Sequence, residues 1–400
     1  MEKTVENKHA EQITEVCIAG KKEVNNTFKL LSAIGILLIV SGHCYHGGVT
    51  LGYEWFPTYS YNLALFVFIS GYFYKDKHED HIGKYIWGRT KRLILPAYIW
   101  NILYGGMIIA LAYAGFSIGA KPDTYNLFIM PFVDGEAFKY NLGSWFVYPL
   151  FCVYVFNILF RKLLKFLHRR NEFVILAVYL AIGMLGIYIS NQCIRSGIYG
   201  PMKLLLRSMF FLPCFQFGRV YAQKLEKHDK LNNLVYFGII IAIQLVLLTF
   251  NKTLEYQPSN CNFPNGMFIT YISALTGIAF WLRVAKILTP ALGNSRTVKV
   301  LGDNTYSLMI HHMWGFMCIK FIFWLISSVT PFFDNFNADL MKSNIWYYYL
   351  PNGMQHYAFL YTVGGILISL LIGFIADKLV RFLCVKFRPK ALEEQPITTE

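Results

Sequence analysis

The sequence predicts an all-α, polytopic membrane protein, a bundle of about ten transmembrane helices. Hydrophobic residues make up 55% of the 400 residues and charged residues only 15%, compared with roughly 25% charged residues in a soluble globular domain. Apolar runs that can cross a hydrocarbon core about 30 Å thick recur along the chain. Ten runs are predicted to span: 28–46, 59–74, 93–116, 142–160, 172–190, 203–220, 233–250, 267–287, 305–329 and 356–380.

The positive charges predict the orientation of these spans. When the charges near the ends of the runs are counted with the adjoining segments, and Lys29, Arg207 and Lys320 are left in their spans, alternate segments contain 28 Lys and Arg residues and the intervening segments contain 6. Cytoplasmic loops carry the excess of positive charge, so both termini are expected in the cytoplasm. The predicted organisation is an N-terminal tail over 1–27, a membrane domain over 28–385 and a C-terminal tail over 386–400. The net charge of +14 therefore indicates membrane lipids as partners. It does not indicate nucleic-acid binding.

The first span, FKLLSAIGILLIVSGHCYHGG, carries His43 and His46 near its outer end. His43 lies fifteen residues after Phe28, which is about 22 Å along a helix. An ionisable group at this depth is costly to bury and is therefore a functional candidate. Both histidines could be interfacial side chains at a helix end. Alternatively, a neutral imidazole here could act as a general base on a hydroxyl group.

The second span and the segment after it contain further candidates. Ser70 and Gly71 are small residues that permit close helix packing. The following segment is the most basic of the chain, with Lys75, Lys77, Lys84, Arg89, Lys91 and Arg92. It is either a topology signal facing anionic lipid or a binding site for a ligand that carries phosphate groups.

Later polar residues complete the candidates. Arg207 in the sixth span is interpreted as a side chain that snorkels to the interface, with contact to a polar acceptor group as the alternative. Arg161 and the basic residues after it predict a solvated cytoplasmic face. Only one of His311 and His312 can face a given cavity, because adjacent helical residues point about 100° apart. If the helices run straight, His312 lies about 10 Å from the depth of His43.

Five motifs occur in order along the chain: LLSAIGILLIVSGHCYH, ALFVFISGYFYK, KRLILPAY, LGSWFVYPLF and LGDNTYSLMIHHMW. In this order and spacing, from about residue 28 to 380, the chain resembles the acyltransferase type 3 family of integral membrane acyltransferases. The resemblance implies transfer of an acyl group, usually acetyl from acetyl-CoA as co-substrate, to a hydroxyl of a sugar in a glycan or glycolipid. It also implies a multi-pass protein of a bacterial inner or plasma membrane.

The resemblance assigns roles to individual residues. His43 and His312 match the family's first-helix and late-span histidines, and are expected to act as general base and as oxyanion or thioester ligand. An acyl-His43 intermediate remains open. Arg92 matches the arginine of the third-span motif, and Trp145 matches the tryptophan of the fourth. We expect Arg92, together with Arg89, Lys91 and Lys29, to bind the donor phosphates, and Trp145, together with Ser70 and Arg207, to contact the acceptor.

One position departs from the family pattern. The family commonly has arginine eleven residues before the first-helix histidine, where this chain has Ser32. Lys29, almost one helical turn away, could supply the cation or could snorkel to the cytoplasm. No metal site is expected, because the eight cysteines are scattered without a C-x-x-C pair.

Two other functional classes remain open from the residues alone. A transporter or flippase of lipid-linked saccharides would also have ten or more helices, but such proteins typically contain internal repeats, and no convincing half-to-half similarity is found. A membrane glycan polymerase usually has a large outer loop with catalytic charges, whereas the longest predicted outer segment here has about 26 residues.

Overall fold

The computed structural model describes residues 25–44, 56–117, 121–168, 170–196, 202–333, 336–349 and 354–386. These residues are helical, apart from connecting segments and one isolated bridge between Gln257 and Asn262. The main helices are α1 (Asn26–Gly42), α2 (Asn62–Tyr72), α3 (Ile82–Tyr113), α4 (Lys139–Phe166), α5 (Glu172–Ser196), α6 (Met202–Val220), α7 (Asn233–Phe250), α8 (Gly266–Leu292), α9 (Arg296–Asp303), α10 (Thr305–Val329) and α11 (Ala358–Lys386). Shorter helices cover Met130–Val133, Ala338–Ser343 and Ile345–Tyr349.

The helices confirm an all-helical membrane architecture. In the described residues, seven helices are long and apolar enough to cross a membrane: α3, α4, α5, α7, α8, α10 and α11. Helices α1 and α2 are apolar but have only 17 and 11 residues, and α6 contains Lys203, Arg207 and Arg219. Within the described residues, each predicted apolar run overlaps with a helix. Ten crossings and cytoplasmic termini stay predictions.

One end of the bundle is held together by contacts between charged segments. Lys165 pairs with Asp80, Arg170 with Glu79 and Arg219 with Asp76. Together with the hydrogen bond from Tyr72 to Glu226, these pairs bring the segments 73–94, 161–168, 170–172 and 219–233 to one side, which we call the basic face. It is the side that the charge distribution predicts to be cytoplasmic.

Glycine allows α2 and α6 to cross in close contact, as the sequence predicts for the second span. A Cβ atom on Gly71 would overlap the carbonyl oxygen of Phe215, and one on Gly218 would overlap that of Phe68. Backbones can approach this closely only where side chains are absent. α2 also packs beside α1, and its first residues, Asn62 and Leu63, line the cavity described below.

Arg161 contradicts the predicted solvated face. Its side chain is buried, and its guanidinium donates to Glu172 at 3.0 and 2.7 Å and to Gln216 at 2.8 Å. The reason is that α4 continues to Phe166, six residues beyond the predicted end of the span. Arg161 therefore lies inside the bundle, where a carboxylate must balance its charge.

Replacing Glu172 with alanine is expected to lower the free energy of unfolding by about 3–5 kcal/mol, because the Arg161 guanidinium would stay buried without its carboxylate. Thermal unfolding of the purified protein in detergent measures the effect. The matched control is Asp303→Ala, which removes the carboxylate of the exposed Lys29 pair and should cost no more than about 1 kcal/mol. Equal losses in both variants would contradict the buried role of Glu172.

Candidate active site

Hydrogen bonds define where α1 begins and ends, and its end determines the position of His43. Asn25 caps the start of the helix by accepting a hydrogen bond from Phe28 N at 3.1 Å, and seventeen residues later the helix ends at Gly42. The Tyr59 hydroxyl donates to the Gly42 carbonyl oxygen at 2.8 Å, which satisfies one of the free carbonyls at a helix end. His43, the next residue, is thereby held against the start of α2.

His312 is held by its own helix in one orientation. Its Nδ1 lies 2.9 Å from the carbonyl oxygen of Leu308. Because a carbonyl only accepts hydrogen bonds, Nδ1 carries a proton, and in the neutral ring Nε2 then has a free lone pair. Within the described part of the chain, this buried Nε2 has no hydrogen-bond partner. A base is therefore available at Nε2.

The rings of His43 and His312 are stacked, with centroids 5.0 Å apart and planes inclined by 29°. Both line a cavity of about 200 Å³. Its remaining walls are formed by Ile39, Tyr59, Asn62, Leu63, Gly143, Trp145, Phe146, Gln257, Pro258, Ser259 and Met309. The cavity thus combines two imidazoles with aromatic, amide and hydroxyl groups.

The predicted depth difference of about 10 Å between the two histidines is wrong, since their rings touch. α1 also meets α9 near its start, where a Cβ atom on Gly302 would press on Lys29. From that contact, α1 rises for fourteen residues to His43, whereas only ten residues lead from Gly302 to His312. The two paths begin and end in contact although they differ by four residues, so α1 and α10 do not run straight and parallel as the estimate assumed.

The two adjacent histidines face different neighbours, as their helical geometry predicts. His311 Nδ1 lies 2.5 Å from the Tyr104 hydroxyl of α3, and its ring packs against Trp100 with centroids 4.3 Å apart. His312 faces α1. The structure therefore brings His312, and not His311, to His43.

Trp145 and Arg207 are joined at one wall of the cavity. The Arg207 guanidinium carbon lies 4.9 Å from the centroid of the Trp145 ring, within cation–π range. The same guanidinium donates to the carbonyl oxygens of Gly135 and Ser259, and Arg207 is only 2% exposed. The snorkelling interpretation is wrong. The segments around 135 and 259 supply hydrogen-bond acceptors inside the protein, so the guanidinium does not have to reach the membrane interface for polar contacts.

Two other predicted residues lie outside the cavity lining. The Ser70 hydroxyl donates to the carbonyl oxygen of Phe66 in its own helix at 2.9 Å. Lys29 forms an ion pair with Asp303 at 2.5 Å, a partner that neither interpretation of Lys29 anticipated. His46 lies outside the described residues.

Arg89 and Arg92 line a separate groove of about 570 Å³ on the basic face, together with Lys77 and Lys84. Lys91 does not line it; its ammonium lies 5.6 Å from the centroid of the Trp87 ring. The groove adjoins the start of α10, because the Tyr306 hydroxyl donates to the carbonyl oxygen of Leu93 at 2.9 Å. His312 follows Tyr306 by six residues, about 9 Å along the helix.

The family comparison covers this whole arrangement. A family model described as an acyltransferase domain, that of the acyltransferase type 3 family, matches residues 25–374. The chain belongs to the acyltransferase type 3 family. The match begins at the residue that caps α1, ends within α11 and includes both stacked histidines, so the protein is a membrane acyltransferase. No curated protein and no solved structure matches the chain.

Sequence reasoning missed several walls of the acyltransferase cavity. Tyr59 and Asn62 lie at the start of the short second span, and Gln257 and Ser259 lie in a segment that is predicted to be on the outer side. Asn62 is buried, and its Oδ1 accepts from Leu63 N at 2.8 Å. An amide that opens an otherwise apolar run is a signal that could have identified Asn62. Gln257 and Ser259 had no comparable signal.

Proposed function

We propose that this membrane acyltransferase transfers acetyl from acetyl-CoA to a sugar hydroxyl of a cell-envelope or exported polysaccharide, or of its lipid-linked precursor. The observation that carries the proposal is the pair of stacked imidazoles in one cavity, with an anchored ring whose Nε2 is free to accept a proton. Acyl transfer to a hydroxyl needs a base of this kind at the acceptor oxygen.

The tautomer of His312 supports a revision of the roles implied by the resemblance. A neutral His312 that donates from Nδ1 to Leu308 has no proton on Nε2, so it accepts a proton more readily than it stabilises an oxyanion. We assign His312 as the base and His43 as the ring that orients the acceptor against it. Asn62 lines the same cavity, and its amide N–H groups suit an oxyanion.

The reaction then has three steps. Nε2 of His312 removes the proton of the sugar hydroxyl, and the oxygen attacks the thioester carbonyl carbon. The tetrahedral oxyanion collapses with cleavage of the carbon–sulfur bond. The leaving thiolate takes the proton from the imidazolium, which restores the neutral ring and releases coenzyme A.

The acceptor side of the proposal is supported by the composition of the cavity. Trp145 and Phe146 offer flat apolar faces, while Gln257 and Ser259 offer polar groups. Pockets that bind small ligands commonly combine an apolar lining with a few polar groups that fix orientation. A sugar ring has apolar faces and a rim of hydroxyl groups, which matches this lining.

The direct test is acyl transfer by the purified protein in nanodiscs. Acetyl-CoA is supplied with and without an envelope polysaccharide fraction from cells that lack the gene, and free thiol and ester-linked acetyl are measured. Thiol release that depends on the polysaccharide, with matching ester formation, is expected. Absence of both, together with transport of lipid-linked saccharide across the bilayer, would overturn the proposal.

Replacing Arg89 and Arg92 together with glutamine is expected to raise the KM for acetyl-CoA by roughly tenfold to a hundredfold, because hydrogen bonds to charged groups contribute about 1.5–3 kcal/mol. The value of kcat should change little, since the groove is apart from the histidines. Lys91→Gln is the matched control: it removes a neighbouring cation that does not line the groove. If the control and the double variant have the same KM as the parent protein, the donor phosphates bind elsewhere.

A further inference from the structure

A second cavity lies away from the histidines, between five helices at the basic face. This groove has a volume of about 510 Å³ and is bordered by α2, α5, α6, α7 and α8. Its lining is mainly apolar and includes Phe68, Phe173, Phe217, Tyr236, Ile278 and Leu282. The lining residue Phe173 is exposed, as are Val235 and Ile239 of α7, the helix that contributes Tyr236 to the lining. Apolar side chains exposed at this level face the hydrocarbon of a membrane.

The turn over 221–230 closes one end of the groove. Its acidic side chains are paired within the protein, and one of them, Asp229, also lines the groove. Glu226 accepts from the Tyr72 hydroxyl at 2.9 Å. Asp229 accepts from Lys286 at 2.8 Å and from the Tyr221 hydroxyl at 2.9 Å, and it also pairs with Arg283. Although burial opposes ionisation, these partners hold the pKa of Asp229 below its usual range. Its negative charge is therefore balanced internally.

The basic side chains of the same turn remain exposed. Lys227, His228 and Lys230 are exposed; His228 lines the groove, and the two lysines flank the lining residues His228 and Asp229 in the turn. Positive charge thus lies beside the end of the groove, whereas the length of the groove presents hydrocarbon and aromatic surface. An amphiphile with an anionic head and an apolar tail matches both parts.

We propose that the groove binds the acyl chain of an anionic membrane lipid, with the lipid phosphate at Lys227, His228 and Lys230. The basic face is the predicted cytoplasmic side, and anionic lipids are concentrated in that leaflet. A helix from another protein chain fits the groove less well than an acyl chain does. A helix is a cylinder about 10 Å across, and little more than one turn of it would fill 510 Å³. The site is separate from the proposed acyl transfer and does not depend on it.

Native mass spectrometry of the purified protein tests the proposal, with phosphatidylglycerol and phosphatidylcholine of the same acyl chains as probes. One phosphatidylglycerol is expected to remain bound under conditions that remove phosphatidylcholine. Lys227→Gln with Lys230→Gln should weaken phosphatidylglycerol binding by roughly thirtyfold, since each of the two lysines near an anionic lipid contributes about 1 kcal/mol. The control, Arg296→Gln with Lys299→Gln, removes two exposed cations of α9 and should leave binding unchanged.

A second variant tests the apolar part. Ala279→Leu narrows the groove and should weaken the binding of phosphatidylglycerol while the exposed lysines stay in place. Size-exclusion elution identifies a variant that fails to fold, and the lysine variants, which change only exposed residues, then decide the question. Equal retention of the two lipids by the parent protein would overturn the site. So would a mass corresponding to a second copy of the chain in place of the lipid.

Discussion

Replacing His312 with glutamine is expected to lower kcat for acyl transfer by roughly 10²- to 10⁴-fold, the usual contribution of a positioned general base. Glutamine retains an amide that can donate to the Leu308 carbonyl oxygen, so the helix should stay intact. It has no basic nitrogen at the position of Nε2, so the acceptor hydroxyl would keep its proton. Thiol release from acetyl-CoA in the presence of the acceptor measures the loss.

His311→Gln is the matched control for this experiment. His311 is the adjacent residue and equally buried, 2% exposed like His312, but it contacts Tyr104 and Trp100 instead of His43. A loss of stability without a selective loss of kcat is expected in the control. If both variants lose the same activity, the effect belongs to the packing of α10 and not to a base.

The helices could be predicted from the sequence because their physical cause is local. The predicted run over 305–329 coincides with α10, and the run over 233–250 coincides with α7. A continuous apolar run in a membrane must satisfy its backbone within one helix, so length and composition suffice. The 100° rotation between His311 and His312 was likewise a local property, and the structure assigns them to different neighbours.

The failures concern residues whose environment is set by distant parts of the chain. From the sequence alone, Arg207 is interpreted as an interfacial cation, because the carbonyl oxygens that it contacts belong to the distant segments around 135 and 259. Lys29 pairs with Asp303 because α9 packs beside α1, a contact between parts of the chain that are far apart in sequence. The depth estimate for the histidines assumed straight helices, and no local pattern in the sequence gives how α1 and α10 lie relative to each other.

Among these residues, Arg207 is the one whose replacement should most affect binding of the acceptor. Its guanidinium joins the Gly135 and Ser259 carbonyls and lies on the Trp145 ring, and Trp145 and Ser259 both line the histidine cavity. Arg207→Met would leave two carbonyl oxygens without this donor, at about 1–3 kcal/mol each. We expect a lower melting temperature and a KM for the acceptor that rises at least about tenfold, the factor given by 1.4 kcal/mol.

The KM for acetyl-CoA distinguishes a positioning role from general destabilisation. It should be unchanged in Arg207→Met, because the groove of Arg89 and Arg92 lies on the basic face. Arg219→Met is the matched control: Arg219 is a buried arginine at the other end of α6 that donates to the Tyr74 carbonyl oxygen and to Asp76. Its loss should lower the melting temperature but not change the acceptor KM. A parallel rise in the acceptor KM of both variants would show that Arg207 acts only through stability.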